Sequence, residues 1–288
     1  MYEVRPATVG DIDAIAAFTT DTFTWGDYVA DALPTWLSLE GGLVLVATLD
    51  GTPVGVSRTL MLSENEAWLH GARVHPDHRR RGIGRRLNDA GCLWARHQGA
   101  LVARLMVEEW NEAAQAQVGA IGYRRSAPWL SAILELGSEV LPHTNGGRRV
   151  PGEERLTPGR AAEADIAWMS WAVSDLARTG RELFPVGWHF RRTRPDDLSQ
   201  AATRRELWHC PSGWVLASGG DDGELIVPWF STTDLDASRL IRALIDLADG
   251  TRAERIRVMS PRTGWMEEAL ARAGFVITPN AVYSRSLG

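Results

Sequence analysis

Val74-His-Pro76-Asp-His-Arg79-Arg80-Arg81-Gly82-Ile83-Gly84-Arg85-Arg86-Leu87 sets two glycines inside a cluster of five arginines. Val74 closes an alternating apolar stretch, and Ile83 and Leu87 open a helical spacing, so the segment reads as a strand turning tightly into a helix. Glycines at 82 and 84 allow consecutive N–H groups and the positive end of the helix to converge on one anion. A pyrophosphate fits that description. Either feature alone says little, since glycine marks ordinary turns and an arginine run is usually a solvated face; here both fall between a strand and a helix.

Upstream of the loop lie three β-type runs, at 43–49, 53–62 and 66–74, the first two separated by the hairpin signal Asp50-Gly51. They predict an antiparallel meander. Before it, Arg5-Pro6 leads to Asp11, a capping residue for an amphipathic helix carrying Ile12, Ile15 and Ala16 and running to about Phe23. After the loop come a helix to about Gly99, a strand at 101–107, a helix from Asn111 and a strand from Tyr123 toward Leu136.

Residues 141–156 are rich in Pro, Gly and charge without apolar period, and read as a linker. The pattern then restarts: Thr157-Pro158 leads through Asp165-Ile166 into a helix, as Arg5-Pro6 leads through Asp11-Ile12, and Gly274-Phe275 closes a helix as Gly122-Tyr123 does. Pro6 to Pro158 and Gly122 to Gly274 share one offset of 152 residues, the mark of a duplication. The expected fold class is α/β (mixed α+β), with tandem domains at 1–140 and 157–288, each a mixed, largely antiparallel sheet flanked by helices.

Strand, Val-x-Pro, Arg-x-x-Gly-x-Gly and helix together resemble the acetyl-CoA signature of the GNAT superfamily of acyl-CoA-dependent N-acyltransferases. The resemblance covers residues 1–137 and, more weakly, 157–288. It implies acetyl-CoA as acyl donor, with the pyrophosphate on the amides of Arg79, Arg80, Arg81, Gly82, Ile83, Gly84, Arg85 and Arg86. It also implies pantetheine along the backbone of Arg73 and Val74, where family members splay two parallel strands, and a coenzyme contact from Asn111. The second copy has STTDLDASRLIRALIDLADG after Phe230 in place of the arginine-glycine signature. It is expected to bind no CoA.

An amine attacking a thioester needs a base for its proton and donors for the oxyanion. Glu66, Trp68 and His70 alternate onto one face of the strand before the loop. The run from Trp68 to His75 resembles the corresponding strand of the arylalkylamine N-acetyltransferases, which carry a histidine at the position of His70. His70 is therefore the candidate base, its unperturbed pKa of ~6.5 suiting neutral pH, and Glu66 the reserve. Many relatives place a thiolate-protonating tyrosine seven residues after the asparagine. Val118 stands there in this chain, leaving unassisted departure of the thiolate, Tyr123 or a residue of the second half as alternatives.

Composition narrows the partners. Through His143 the chain has 17 acidic and 12 arginine residues, five of the latter in the loop, and lysine is absent throughout. That field disfavours a nucleic-acid backbone and suits a cationic amine. No run approaches a membrane span, and Cys92 and Cys210 have no metal-ligand spacing, so a soluble cytoplasmic monomer or homodimer without metal is expected. The 13 tryptophans read as core filling rather than an aromatic pocket. The expected reaction is transfer of an acetyl or short acyl group to a primary amine of a small molecule, in a ternary complex. Acylation of a peptide or protein amine, or a CoA-binding pseudoenzyme, are the alternatives.

Overall fold

The computed structural model describes residues 1–20, 22, 26–137, 154–220 and 223–288. The linker expected at 141–156 lies outside the described residues except for its last three, as does Phe23. Two compact units result, one of Met1–Met106, Ala116–Arg124 and Tyr283–Gly288, the other of Val107–Gln115 and Arg125–Val282.

The first unit contains β1 (Tyr2–Pro6), α1 (Ile12–Thr19), α2 (Val29–Ser38), β2 (Gly42–Leu49), β3 (Thr52–Met61), β4 (Glu66–Val74), α3 (Ile83–His97), most of β5 (Val102–Glu108) and the end of α4 (Glu112–Ala120). β1 to β4 form an antiparallel meander, and β5 joins β4 in parallel. Asp50 and Gly51 both take positive φ, 49° and 86°, as a tight hairpin turn of that dipeptide requires. β1 and α2 were absent from the sequence expectation. β1 is a short edge strand ending in proline, and α2 holds Pro34 inside its span, which masks a helical pattern.

Strand β2 is apolar on both faces because both are covered. Val44 and Val46 pack with Ile15, Val29, Leu33 and Trp36 of α1 and α2. Leu45 and Ala47 pack with Ile83 and Leu87 of α3. Each fully buried Leu, Ile or Val contributes roughly 1.5–3 kcal/mol relative to exposure. Asp11 holds the chain entering α1: it accepts from the Thr8 N–H at 2.8 Å and pairs with Arg5 at 2.7 Å. The Arg5 guanidinium holds its carboxyl down at about 2.

The second unit adds most of β6 (Arg124–Glu135), β7 (Thr157–Pro158), α5 (Ala164–Ala172), α6 (Asp175–Thr179), β8 (Leu183–Val186), β9 (His189–Arg192), α7 (Asp196–Thr203), β10 (Leu207–Cys210), β11 (Gly213–Gly219), β12 (Glu224–Ser231), α8 (Ala237–Thr251), β13 (Arg255–Pro261), α9 (Gly264–Arg272) and most of β14 (Val276–Ser286). β10, β11 and β12 form a meander, and β13 lies parallel to β12. The order follows that of the chain's first ten elements except for the added β8–β9 hairpin and α7, with Glu163 rather than Asp165 in the place of Asp11: its carboxylate accepts from the Arg160 N–H at 2.8 Å.

The units cut across the sequence repeats. β6, the last strand of the first repeat, pairs antiparallel with β13 from Arg255↔Glu135 to Pro261↔Trp129, inside the second unit. Residues 283–288, which end the second repeat, belong to the first unit, where the Leu287 N–H donates to the Leu101 carbonyl at 2.9 Å.

Candidate active site

Strand β4 changes register midway. Its Cα partners on β3 run from Met61↔Ala67 to Arg58↔His70, then resume at Val56↔Arg73, so Gly71 and Ala72 together oppose Ser57. This is a β-bulge, and Gly71 takes the φ of +65° that such a bend asks of glycine. A Cβ there would also meet the Trp36 ring at 2.6 Å. On its other edge β4 pairs with β5 only from Glu66↔Val102 to Trp68↔Arg104. The parallel register therefore ends before the bulge, and β4 residues 69–74 are not in it.

Beyond Val74 the chain makes one short 3-10 turn, Pro76–His78, and then bends through two left-handed residues, Arg80 at φ 61° and Gly82 at φ 77°. Ile83 is buried against Leu87, Leu45 and Val54 and so anchors the first turn of α3. Among the described residues, no acceptor bonds the backbone N–H groups of residues 80–85. The arginines surround the turn without sealing it. Arg79 Nε reaches the Val74 carbonyl at 3.3 Å, Arg81 reaches the Tyr2 hydroxyl at 3.2 Å, Arg85 lies 3.5 Å from Asp89, and Arg80 and Arg86 are exposed. The space beyond Gly82 is open, whereas a Cβ at Gly84 would meet Gln117 Nε2 at 2.6 Å.

A second group of candidate residues lies on the face of β3 and β4 under α2. His70 packs edge-on against Trp36 with ring centroids 4.9 Å apart, and Arg58, its partner in the β3–β4 register, places its guanidinium 5.2 Å from the same indole. Arg73 pairs with Asp27 at 2.6 Å and fixes the start of α2. Glu66 sits at the far end of β4, ion-paired with Arg104 and accepting from Ser63. The structure thus groups His70 with the bulge and keeps Glu66 in a salt bridge away from it.

Asn111 falls in the second unit, where its Oδ1 accepts from the Ala114 N–H at 3.0 Å and caps α4. Val118 is buried. Tyr123, an alternative proton donor, has its hydroxyl 3.3 Å from Asn88 and 3.5 Å from Cys92 beneath α3, and burial pushes the phenol far above its ordinary value. It is a core residue, as is Cys92. The sequence reading missed Arg58, Trp36, Asp27 and Gly71; the signal for Arg58 was a lone charge inside the apolar run 53–62.

In the second unit β12 also bulges: Val227 and Pro228 oppose Ala217 between Leu216↔Trp229 and Ser218↔Ile226. The turn after it differs. Asp236 occupies the N-cap of α8, bonded by Thr233 Oγ1 at 2.8 Å and ion-paired with Arg239, so a carboxylate already stands at that helix end.

Bulged strand, glycine turn and helix start all lie within a stretch that matches a known family. Residues 12–122 match the family model described as Acetyltransferase (GNAT) family. A GNAT acetyltransferase domain makes the chain an acyltransferase. The GCN5-related N-acetyltransferase from Sphaerobacter thermophilus is similar over 99% of this chain and 96% of its own, at TM-score 0.67 and 14% identity. A tandem GNAT protein from the clavulanic acid biosynthesis pathway is similar over 100% and 99%, at TM-score 0.61 and 15% identity. The glucosamine N-acetyltransferase region of a fungal multi-domain enzyme is similar over 99% of this chain and 38% of its own, at TM-score 0.67 and 15% identity. The chain therefore has the tandem GNAT fold. No curated protein sequence matches it. No helix among the described residues is long and apolar enough to cross a membrane.

Proposed function

We propose that the chain transfers an acetyl or similar short acyl group from CoA to a primary amine of a small molecule, using one coenzyme site in the repeat 1–140 and none in the repeat 157–288. The observation that carries the reading is the turn after β4, whose N–H groups at 80–85 have no acceptor among the described residues and stand at a helix start beside five arginines. Those residues fit a pyrophosphate: donors without acceptors, positive charge, and no Cβ at 82 or 84 to fill the space. The amides of residues 79–86 would hold it, and the backbone at Arg73 and Val74 would pair with pantetheine. The coenzyme supplies an acyl group already activated as a thioester.

The protein's own part is positioning and proton transfer. β4 beyond Trp68, outside the register with β5, presents backbone N–H groups to a carbonyl oxygen gaining charge. His70, held by Trp36 next to the bulge, takes the proton of the attacking amine directly or through water. The test is thiol release from acetyl-CoA across an amine panel, with the product's acetylation confirmed by mass. Release that depends on the added amine supports the proposal; release indifferent to amine, or none with any amine, refutes it.

A further inference from the structure

Among the described residues of the first unit, buried charge is balanced except at one place. Asp11, Asp27 and Glu66 each have their own arginine, respectively Arg5, Arg73 and Arg104. Among the described residues, Arg58 pairs with no carboxylate. It is 5% exposed, its Nε meets no hydrogen-bond acceptor among the described residues, and its guanidinium lies over the face of Trp36. Burial lowers its pKa, and an arginine guanidinium stays charged in proteins. A buried cation without an anion costs stability, and such a residue is retained where a ligand completes it.

Its position says where that ligand lies. Arg58 and His70 are opposite one another on β3 and β4, and cross-strand partners carry Cβ atoms about 4.5–5.5 Å apart on one face. The His70 imidazole and the Arg58 guanidinium meet the same indole, that of Trp36. An anion on Arg58 is therefore within a few bonds of an amine at His70. The planar fork of arginine suits a carboxylate, which it grips with two parallel hydrogen bonds.

Resting on the acyl-transfer reading above, we propose that Arg58 anchors a carboxylate of the acceptor, and that the acylated amine belongs to the amino-acid class. The experiment uses the full chain, acetyl-CoA, and a panel of amino acids, each compared with its carboxamide and its decarboxylated amine. Wild type should favour the free acid by about 10²-fold or more in kcat/KM, mainly through KM. Arg58→Met should raise KM for the acid by about 10²- to 10³-fold while leaving KM for the carboxamide and for acetyl-CoA unchanged, and Arg58→Lys should recover part of the loss. Equal use of acid, carboxamide and decarboxylated amine overturns the anchor while leaving amine acylation intact. If no amine releases thiol, the acylation reading fails, and the anchor is read from melting temperature: amino acids but not their carboxamides should stabilise wild type and not Arg58→Met, and equal shifts overturn it. Unliganded Arg58→Met should melt at or above wild type; a marked fall shows a structural arginine and also overturns the proposal.

Discussion

Gly82 separates charge from shape at the coenzyme turn. Its φ of +77° is left-handed, and the direction of its missing Cβ is empty within 4 Å. Asparagine and aspartate tolerate that conformation nearly alike and have the same size, so Gly82→Asn and Gly82→Asp carry a similar backbone cost of roughly 1 kcal/mol and differ by one negative charge. Two unit charges about 4 Å apart near a protein surface interact by about 4 kcal/mol, and by about 3 at a somewhat greater separation. Against a pyrophosphate held on the amides of residues 80–85, the aspartate variant should bind acetyl-CoA about 10²- to 10³-fold more weakly than the asparagine variant. Calorimetry at low and high salt measures both, and the gap should narrow as salt screens it. Equal affinity of the two variants, both folded, would refute the placement of the pyrophosphate at this turn.

Other outcomes follow from the same geometry. Acetyl-CoA should bind with a stoichiometry of one per chain, because Asp236 already places a carboxylate at the start of α8; calorimetry giving two sites would contradict this. His70→Ala should lower kcat by ~10²-fold or more while acetyl-CoA affinity holds, with recovery at alkaline pH where the amine is already neutral; a near-normal kcat at neutral pH removes the role. Gly91 packs so closely on β3 that a side chain there would collide with Thr59 Oγ1, and Gly91→Val should destabilise the chain by roughly 1–3 kcal/mol in urea unfolding. Asp11, held down at about 2, contributes about 2 kcal/mol that is fully present above the unfolded carboxyl pKa of ~3.9 and disappears as pH falls through 2. The stability gap between wild type and Asp11→Asn should accordingly close between about pH 4 and pH 2, and a gap independent of pH would show that the Arg5 pair is not its source.

The parts legible in the sequence are those whose physics is local. Asp50-Gly51 announced its hairpin, β4 runs over the 66–74 that its alternation marked, and the glycines at 82 and 84 stand where the strand passes into α3. Local signals failed where context decides. Pro34 hid α2, whose helicity comes from burying Val29, Leu33 and Trp36. The bulge rests on Gly71, a residue that in sequence looks like any strand glycine, and Arg58 reveals its isolation only when Asp27 and Glu66 are seen paired elsewhere. Which strand β6 would choose was beyond reach, since its apolar alternation suits either β5 or β13 and only the folded register selects β13.

That choice also governs the timing of synthesis. The first unit includes Tyr283–Gly288, which follow the whole of the second unit in the chain. A ribosome adding 5–20 residues per second needs roughly 10–30 s to travel from the end of α4 to those residues. During that interval the nascent meander exists with its closing segment unmade, and its apolar edge must wait for a strand that has yet to emerge. Stop codons or proteolytic nicks near the end of β14 would thus injure the unit encoded first, and expressing residues 1–140 alone should give a protein prone to aggregate through that open edge.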